Sequence, residues 1–311
     1  MSMITCENLY KIYKTKEIEV VALQGLDMEI NEGEVVGIIG NSGSGKTSLL
    51  NMIGGLDRPT AGRLIVDGKD LLKVSDRELK LYKRDTVGFV WQNNARNMIQ
   101  YLTAVENVEL PSLMRGKPDR KKALQLLEMV GLSHRYKNKL QELSGGEQQR
   151  VAIATSIMTN PKLILADEPT GNVDTLMSDM ILKVFNDLSK TLGVTVIIVT
   201  HDPRLSQMVD RVISISDGRV SSEFIREKNY KQTLEELDPL NKEFHGIVAE
   251  PQGLSETHEE YLIMDRVGRI QFPNRFLEDF NLGSSRRIKV IKENGKIVMY
   301  PPEINTKDIS K

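Results

Sequence analysis

An α/β fold around a parallel sheet is what this 311-residue chain predicts. Three observations carry that expectation. Gly40-Asn41-Ser42-Gly43-Ser44-Gly45-Lys46-Thr47 matches the pattern G-x-x-x-x-G-K-[ST]. It follows the apolar stretch 34–39, a strand, and precedes Ser48-Leu49-Leu50-Asn51-Met52-Ile53, a helix start. Farther on, Leu163-Ile164-Leu165-Ala166 and Val194-Thr195-Val196-Ile197-Ile198-Val199 are almost purely apolar. Runs of that kind are strands buried on both faces, hence a parallel sheet. A helical pattern over 177–192 separates them and makes a βαβ unit.

The elements follow in order. Residues 3–30 alternate in places and predict antiparallel strands beside the nucleotide site. In the P-loop the glycines let successive N–H groups point at phosphate oxygens, and the helix start adds partial positive charge. Lys46 is placed for the β- and γ-phosphates and Thr47 for Mg²⁺. Residues 54–62 are turn chemistry, 63–68 a strand and turn, 75–84 a polar helix, and 87–91 a strand ending at Gln92. Residues 93–142 read as mostly helical. One helix there is capped by Asp119, carries Ala123, Leu124, Leu127 and Val130 on one face, and stops at Gly131. Residues 211–222 read as a hairpin through Asp217-Gly218.

Residues 223–258 are charged and polar, with Pro239, Pro251 and Gly253, and read as a linker with one helix near 232–237. From Glu259 to the end β patterning resumes, with Asn294-Gly295 as a hairpin turn. The expected organisation is a nucleotide-binding domain over 1–222, a linker over 223–258 and a small β domain over 259–311.

Composition narrows the class. Apolar content is 40% and charged content 27%, the balance of a soluble globular chain. A formal net charge of -1 gives no global basic field, so nucleic acid is not an expected partner. Cys6 is the only cysteine, which fits a reducing compartment. The first residues lack a signal-peptide pattern, and no apolar run approaches the ~18 residues that span a bilayer. Any work at a membrane is expected to pass through a partner.

Two further stretches carry chemistry. Leu163-Ile164-Leu165-Ala166-Asp167-Glu168 is an apolar strand ending in two carboxylates, at the end that faces the ligand crevice of an α/β sheet. Asp167 suits an anchor for Mg²⁺, and Glu168 can orient and polarise the attacking water. Leu143-Ser144-Gly145-Gly146-Glu147 has an N-capping serine and glycines that permit close approach of an anion. A chain that already owns a phosphate loop has use for a second one if it serves another subunit's nucleotide.

Leu143-Ser144-Gly145-Gly146 resembles the signature of ABC ATPases, and the family's other motifs lie around it. Gln92 matches the Q-loop, Asp167 and Glu168 the Walker B pair, Gly171-Asn172-Val173-Asp174 the D-loop, and His201 the switch histidine. Tyr13 falls where the family stacks adenine on an aromatic ring. The resemblance covers about residues 3–222. It implies an ABC cassette with a parallel-sheet core, an antiparallel β subdomain and a helical subdomain, using ATP and Mg²⁺. The implied nucleotide contacts are Tyr13, Asn41, Ser42, Gly43, Ser44, Gly45, Lys46, Thr47 and Ser48, with Ser144, Gly145, Gly146 and Asp174 reaching a second copy. The implied metal contacts are Thr47, Gln92 and Asp167; the implied catalytic groups are Glu168, His201, Gln92 and Lys46.

Within the family, Ile53-Gly54-Gly55-Leu56-Asp57-Arg58-Pro59-Thr60 and the run 166–174 resemble the lipoprotein-release, macrolide-export and cell-division group. Val173 stands where leucine is usual. The implied partners are a second copy and a membrane permease, FtsX- or MacB-like, with the protein at the inner face of the membrane. Asp265-Arg266-Val267-Gly268-Arg269-Ile270-Gln271-Phe272-Pro273 and the stretch 288–301 resemble AbrB-like swapped-hairpin domains, which imply dimerisation. Leu277-Glu278 stands where the DNA-binding members carry basic residues. Two other classes remain open at this point: a soluble ABC ATPase acting on nucleic acid or ribosomes, and a DNA-binding regulator.

Overall fold

The structure, a computed structural model, describes residues 1–14, 18–92, 98–171, 175–201, 209, 211–226, 258–265, 268–272, 288–293 and 296–300. From the N-terminus, β1 (Ser2–Lys14) and β2 (Glu19–Asn31) form a long antiparallel pair. β3 (Val35–Ile39) leads through the P-loop into α1 (Lys46–Ile53). β4 (Ala61–Val66) and the short β5 (Lys69–Asp70) complete a four-stranded sheet in the order β2-β1-β4-β5. α2 (Asp76–Asp85) starts at a reciprocal Ser75–Glu78 capping box, and β6 (Val87–Val90) follows.

α3 (Ala104–Met114) starts at a second such box, Thr103–Glu106. α4 (Arg120–Met129) starts at Asp119, whose carboxylate accepts the Lys122 N–H at 2.9 Å. Then come α5 (Gly145–Ile157), β7 (Leu163–Asp167), α6 (Thr175–Leu192) and β8 (Thr195–Val199). β9 (Arg211–Ser216) and β10 (Arg219–Arg226) are joined by Asp217 and Gly218, both left-handed at φ 49 and 73. Such a pair matches the twist of a tight hairpin. β11 (His258–Leu262), β12 (Lys289–Glu293) and β13 (Lys296–Tyr300) end the described chain.

The main sheet has seven strands in the order β11-β10-β9-β3-β8-β7-β6. From β9 to β6 all neighbours are parallel. Side chains alternate between its faces, and each face has its own core. Leu163, Leu165, Ile197 and Val199 join the core under β1, β2 and α1. Ile164, Ala166, Val196 and Ile198 join the core under α3, α4, α5 and α6. Burial on both sides is why β7 and β8 are apolar at all positions except Asp167 and Thr195, at their ends. The topology also brings the C-terminal ends of β3, β7 and β8 together, where an α/β sheet places its ligand.

Three expectations are corrected. On α4 the buried stripe is Ala123, Leu126, Leu127 and Val130, while Leu124 is 39% exposed. The i, i+3, i+4, i+7 spacing of a helix leaves Leu124 to one side. The 211–222 hairpin is longer, since β10 runs to Arg226, and β9 also pairs with β3 in parallel. Lastly, β11 does not join the hairpin β12–β13. It pairs antiparallel with β10, from Ser222 opposite Leu262 to Arg226 opposite His258. The reason is the open edge of β10, whose unpaired N–H and C=O groups are best satisfied by another strand. Thus 223–226 and His258, read as linker, are strand residues, and 259–262, read as the small domain, extend the main sheet. The rest of the linker, including the helix expected near 232–237, lies outside the described residues. β12 and β13 form their own two-stranded sheet, Glu293 opposite Lys296, with the turn residues Asn294 and Gly295 outside the described set.

Candidate functional site

The P-loop wraps the end of β3 and delivers α1. Gly45 caps α1 at φ 101, and a Cβ there would lie 2.4 Å from the Ala22 carbonyl oxygen, so only glycine fits. Lys46, nearly buried, donates from Nζ to the carbonyls of Gly40 (2.7 Å) and Asn41 (2.9 Å). Burial pulls its pKa below the ordinary lysine value, and the carboxylates of Glu168 and Asp167 oppose that pull. The ammonium shares one cleft with Asp167, which ends β7, and with Glu168, which follows it.

Glu168 is the constrained member. Its φ is 47, a rare backbone state for a residue with a side chain. Its N–H donates to the Val199 carbonyl at 2.8 Å, and its own carbonyl accepts the Gly171 N–H at 3.1 Å. Thr200 Oγ1 donates to Glu168 Oε2 at 3.1 Å, and His201 Nδ1 lies 2.8 Å from Oε1. A strained backbone held this firmly fixes the direction of one carboxylate.

Tyr13 sits across the cleft. Its hydroxyl donates to Asp57 Oδ2 at 3.0 Å, and Lys11 Nζ lies 4.7 Å from its ring centre. Lys11 also bridges to Asp57 at 2.7 Å. Burial raises the pKa of Asp57, but hydrogen bonds from Lys11, Tyr13 and the Arg58 N–H outweigh it and hold the carboxyl below its ordinary range.

One cleft of about 470 Å³ gathers Tyr13, Ser42, Gly43, Gly45, Lys46, Thr47, Ser48, Gln92, Asp167, Glu168 and His201. Their chain separations span nearly the whole cassette, so this convergence is a product of the fold. Asn41 and Ser44 belong to the loop without lining the cleft: Asn41 turns its carbonyl to Lys46, and Ser44 is buried. Ser144 and Gly145 are exposed at the start of α5, away from this cleft, with Gly146 buried behind them. Ser144 and Glu147 form a capping box there. The hydrogen bond from the Ser144 N–H, then that of its side chain and the Arg135 ion pair, outweigh burial and keep the Glu147 carboxyl below its ordinary range. Asp174 lies outside the described residues, as do Asn172 and Val173.

Among the described residues, several functional neighbours escaped the sequence reading. Val20 and Val21 line the cleft beside Tyr13. Asp57 and Thr200 brace Tyr13 and Glu168. Thr200 had a signal, its place at the end of an apolar strand one step before His201; Val20 and Val21 lay in the strands expected beside the site and Asp57 in the stretch 53–60, but no pattern gave them a role.

The donor set suits magnesium. Thr47 offers a hydroxyl, Gln92 an amide oxygen and Asp167 a carboxylate, all hard oxygen ligands on one cleft. Among the described residues no helix is long and apolar enough to cross a membrane.

Residues 23–171 match the family model described as ABC transporter. An ABC transporter ATP-binding protein of Methanocaldococcus jannaschii is 44% identical over 228 residues, covering 71% of this chain and 96% of that protein. The lipoprotein-releasing system ATP-binding protein LolD of Pseudoalteromonas translucida is 39% identical over 222 residues, covering 70% and 95%. The macrolide export ATP-binding/permease protein MacB of Syntrophobacter fumaroxidans is 40% identical over 228 residues, but the match spans only 32% of its length. A solved dimeric cassette in a post-hydrolysis state with ADP and Pi superposes with a TM-score of 0.65 at 42% identity, covering 71% of this chain and 97% of that one. Similarity of this depth over whole cassettes, together with a cleft that assembles the P-loop and the paired acids, places the chain in the ABC transporter family as an ATP-binding subunit that hydrolyses ATP.

Proposed function

We propose that this protein works as a head-to-tail dimer that drives a membrane permease of the lipoprotein-release, macrolide-export or cell-division kind. The observation that carries the reading is the separation of Ser144 from the cleft. The P-loop side is gathered on one surface, while the anion-ready start of α5 is exposed elsewhere and can serve a second copy. A relative's dimeric structure with ADP and Pi supports it, as do the names of LolD and MacB.

In this reading Tyr13 stacks the adenine. Backbone N–H groups over 41–48 and the Lys46 ammonium bind the phosphates, and Ser144, Gly145 and Gly146 bind the γ-phosphate of the partner's ATP. Asp174 adds a contact across the dimer. Thr47, Gln92 and Asp167 would hold Mg²⁺, which offsets phosphate charge when bound. Glu168 takes the proton from the attacking water, and His201 keeps the carboxylate aimed while facing the γ-phosphate. ATP favours the closed dimer, and hydrolysis releases it. The protein then lies at the cytoplasmic face of the membrane, attached through its permease.

Ser144→Arg tests the composite site. The variant keeps ATP binding to the monomer, forms no ATP-dependent dimer in light scattering, and loses steady-state hydrolysis. An ATP-dependent dimer formed as readily as by the parent chain would refute the arrangement.

A second reading concerns β12 and β13. A lone two-stranded sheet is marginal in water, yet here Val290 is 57% and Ile297 70% exposed. That favours pairing of this hairpin with its copy, as an AbrB-like unit would do. A chain ending at Phe272 keeps β11 and lacks the hairpin. It is expected to be monomeric without nucleotide at micromolar concentration, where the full chain is dimeric. Equal masses would remove this role from the hairpin.

A further inference from the structure

The P-loop rests on the β9–β10 hairpin. The Gly218 N–H donates to the Ser44 carbonyl at 3.1 Å. A Cβ on Gly40 would lie 2.2 Å from the Ile215 carbonyl oxygen, so the two backbones are in direct contact. The same turn is tied to β2, since the Gln24 N–H donates to the Gly218 carbonyl at 3.0 Å.

On its other side the turn is gripped by residues that follow β11. Asp265 Oδ2 lies 3.3 Å from Arg219 Nη1 and 2.6 Å from Arg269 Nε. Gln271 Nε2 donates to Asp217 Oδ2 at 3.1 Å. The Ile263 N–H donates to the Ser221 carbonyl at 3.2 Å, carrying the strand pairing up to this point. Asp265 is itself fixed in a tight turn: its Oδ1 accepts the Arg269 N–H, and its N–H donates to the Arg269 carbonyl, both at 2.9 Å.

The Arg219 and Asp265 side chains are 25% and 17% exposed. An ion pair this far withdrawn from water is screened less than one on open surface. A cavity of about 330 Å³ remains between β2, the hairpin and this turn.

We propose that Arg219, Asp265 and Gln271 are positioning residues for ATP: the turn after β11 holds the Asp217-Gly218 hairpin, and that hairpin holds Ser44 and Gly40 in the phosphate-binding shape. A loop that binds through the directions of its N–H groups loses affinity when its backbone shifts. The extension beyond the cassette thereby sets how well the cassette holds ATP. The inference rests on the P-loop being the ATP site.

The test uses the full chain with Arg219→Ala, Asp265→Ala, their double variant and Gln271→Ala. MgATP titration, steady-state kinetics and melting without nucleotide are measured for each, with Lys46→Ala as reference. Each single change is expected to raise Kd and KM for ATP about threefold to tenfold with kcat nearly unchanged, and the double to be no worse than the worse single, as for coupled neighbours. Arg219→Lys, which keeps the charge, recovers most of the loss. A merely structural role would lower the melting temperature and leave Kd in place, and that result overturns the proposal. So does full additivity in the double. Should Asp265→Ala fail to fold, Gln271→Ala still decides, since it removes one bond from a half-buried side chain; an unchanged Kd there overturns the proposal. If Lys46→Ala itself binds ATP normally, the P-loop reading fails instead, and the two failures are told apart.

Discussion

Glu168→Gln is expected to leave ATP binding intact and to lower steady-state hydrolysis by ~10²-fold or more, the scale of a lost general base. The substitution is nearly isosteric. The amide oxygen can still accept from Thr200 Oγ1, which now lies 3.1 Å from Oε2. Little of the packing changes, because the side chain already sits in a fixed pose between Thr200 and His201. What disappears is the negative charge and the site that takes a proton from water. With hydrolysis slowed, the ATP-bound closed dimer should accumulate. Phosphate release, ATP titration and light scattering with ATP check the three parts. Turnover near that of the parent chain, with binding intact, would take the general-base role away from Glu168.

Lys46→Ala is expected to strike one step earlier, at binding. Hydrogen bonds to charged groups contribute about 1.5–3 kcal/mol each, so ATP should bind roughly tenfold to a hundredfold more weakly. The variant also frees the Gly40 and Asn41 carbonyls that now accept from Nζ at 2.7 and 2.9 Å. A melting measurement without nucleotide separates that loop effect from the lost phosphate contact. Burial lowers the Lys46 pKa from the ordinary lysine value, and the charges of Glu168 and Asp167 work against that shift. A ligand that brings negative charge beside the ammonium favours the protonated form further. An ATP affinity equal to that of the parent chain would contradict the P-loop assignment.

These two residues also mark how much of the protein could be read before folding it. Lys46 stands inside an eight-residue motif, and its chemistry depends on neighbours in sequence: glycines that bend and a helix that begins. Glu168 follows an apolar strand, and the strand's burial on both faces is written in its composition. Local patterns of this kind pointed to the cassette, its βαβ core, its caps at Asp119 and Ser144, and most of the residues that line the cleft.

Other features depend on partners far away in the chain, and no local pattern specifies them. Tyr13 is braced by Asp57, which meets it and its strand neighbour Lys11 only because β1 runs beside the turn after α1. The left-handed backbone of Glu168 comes from its bonds to Val199 and Gly171. β11 carries ordinary strand residues that could have joined either sheet; the free edge of β10 decided the matter. The sequence by itself determined which chemistry this chain carries, because that chemistry is built from contiguous residues with fixed torsional and charge preferences. Only the tertiary structure decided that the segment after the cassette grips the hairpin under the P-loop, because strand pairing and the Arg219–Asp265 contact join residues whose proximity no short stretch of sequence encodes.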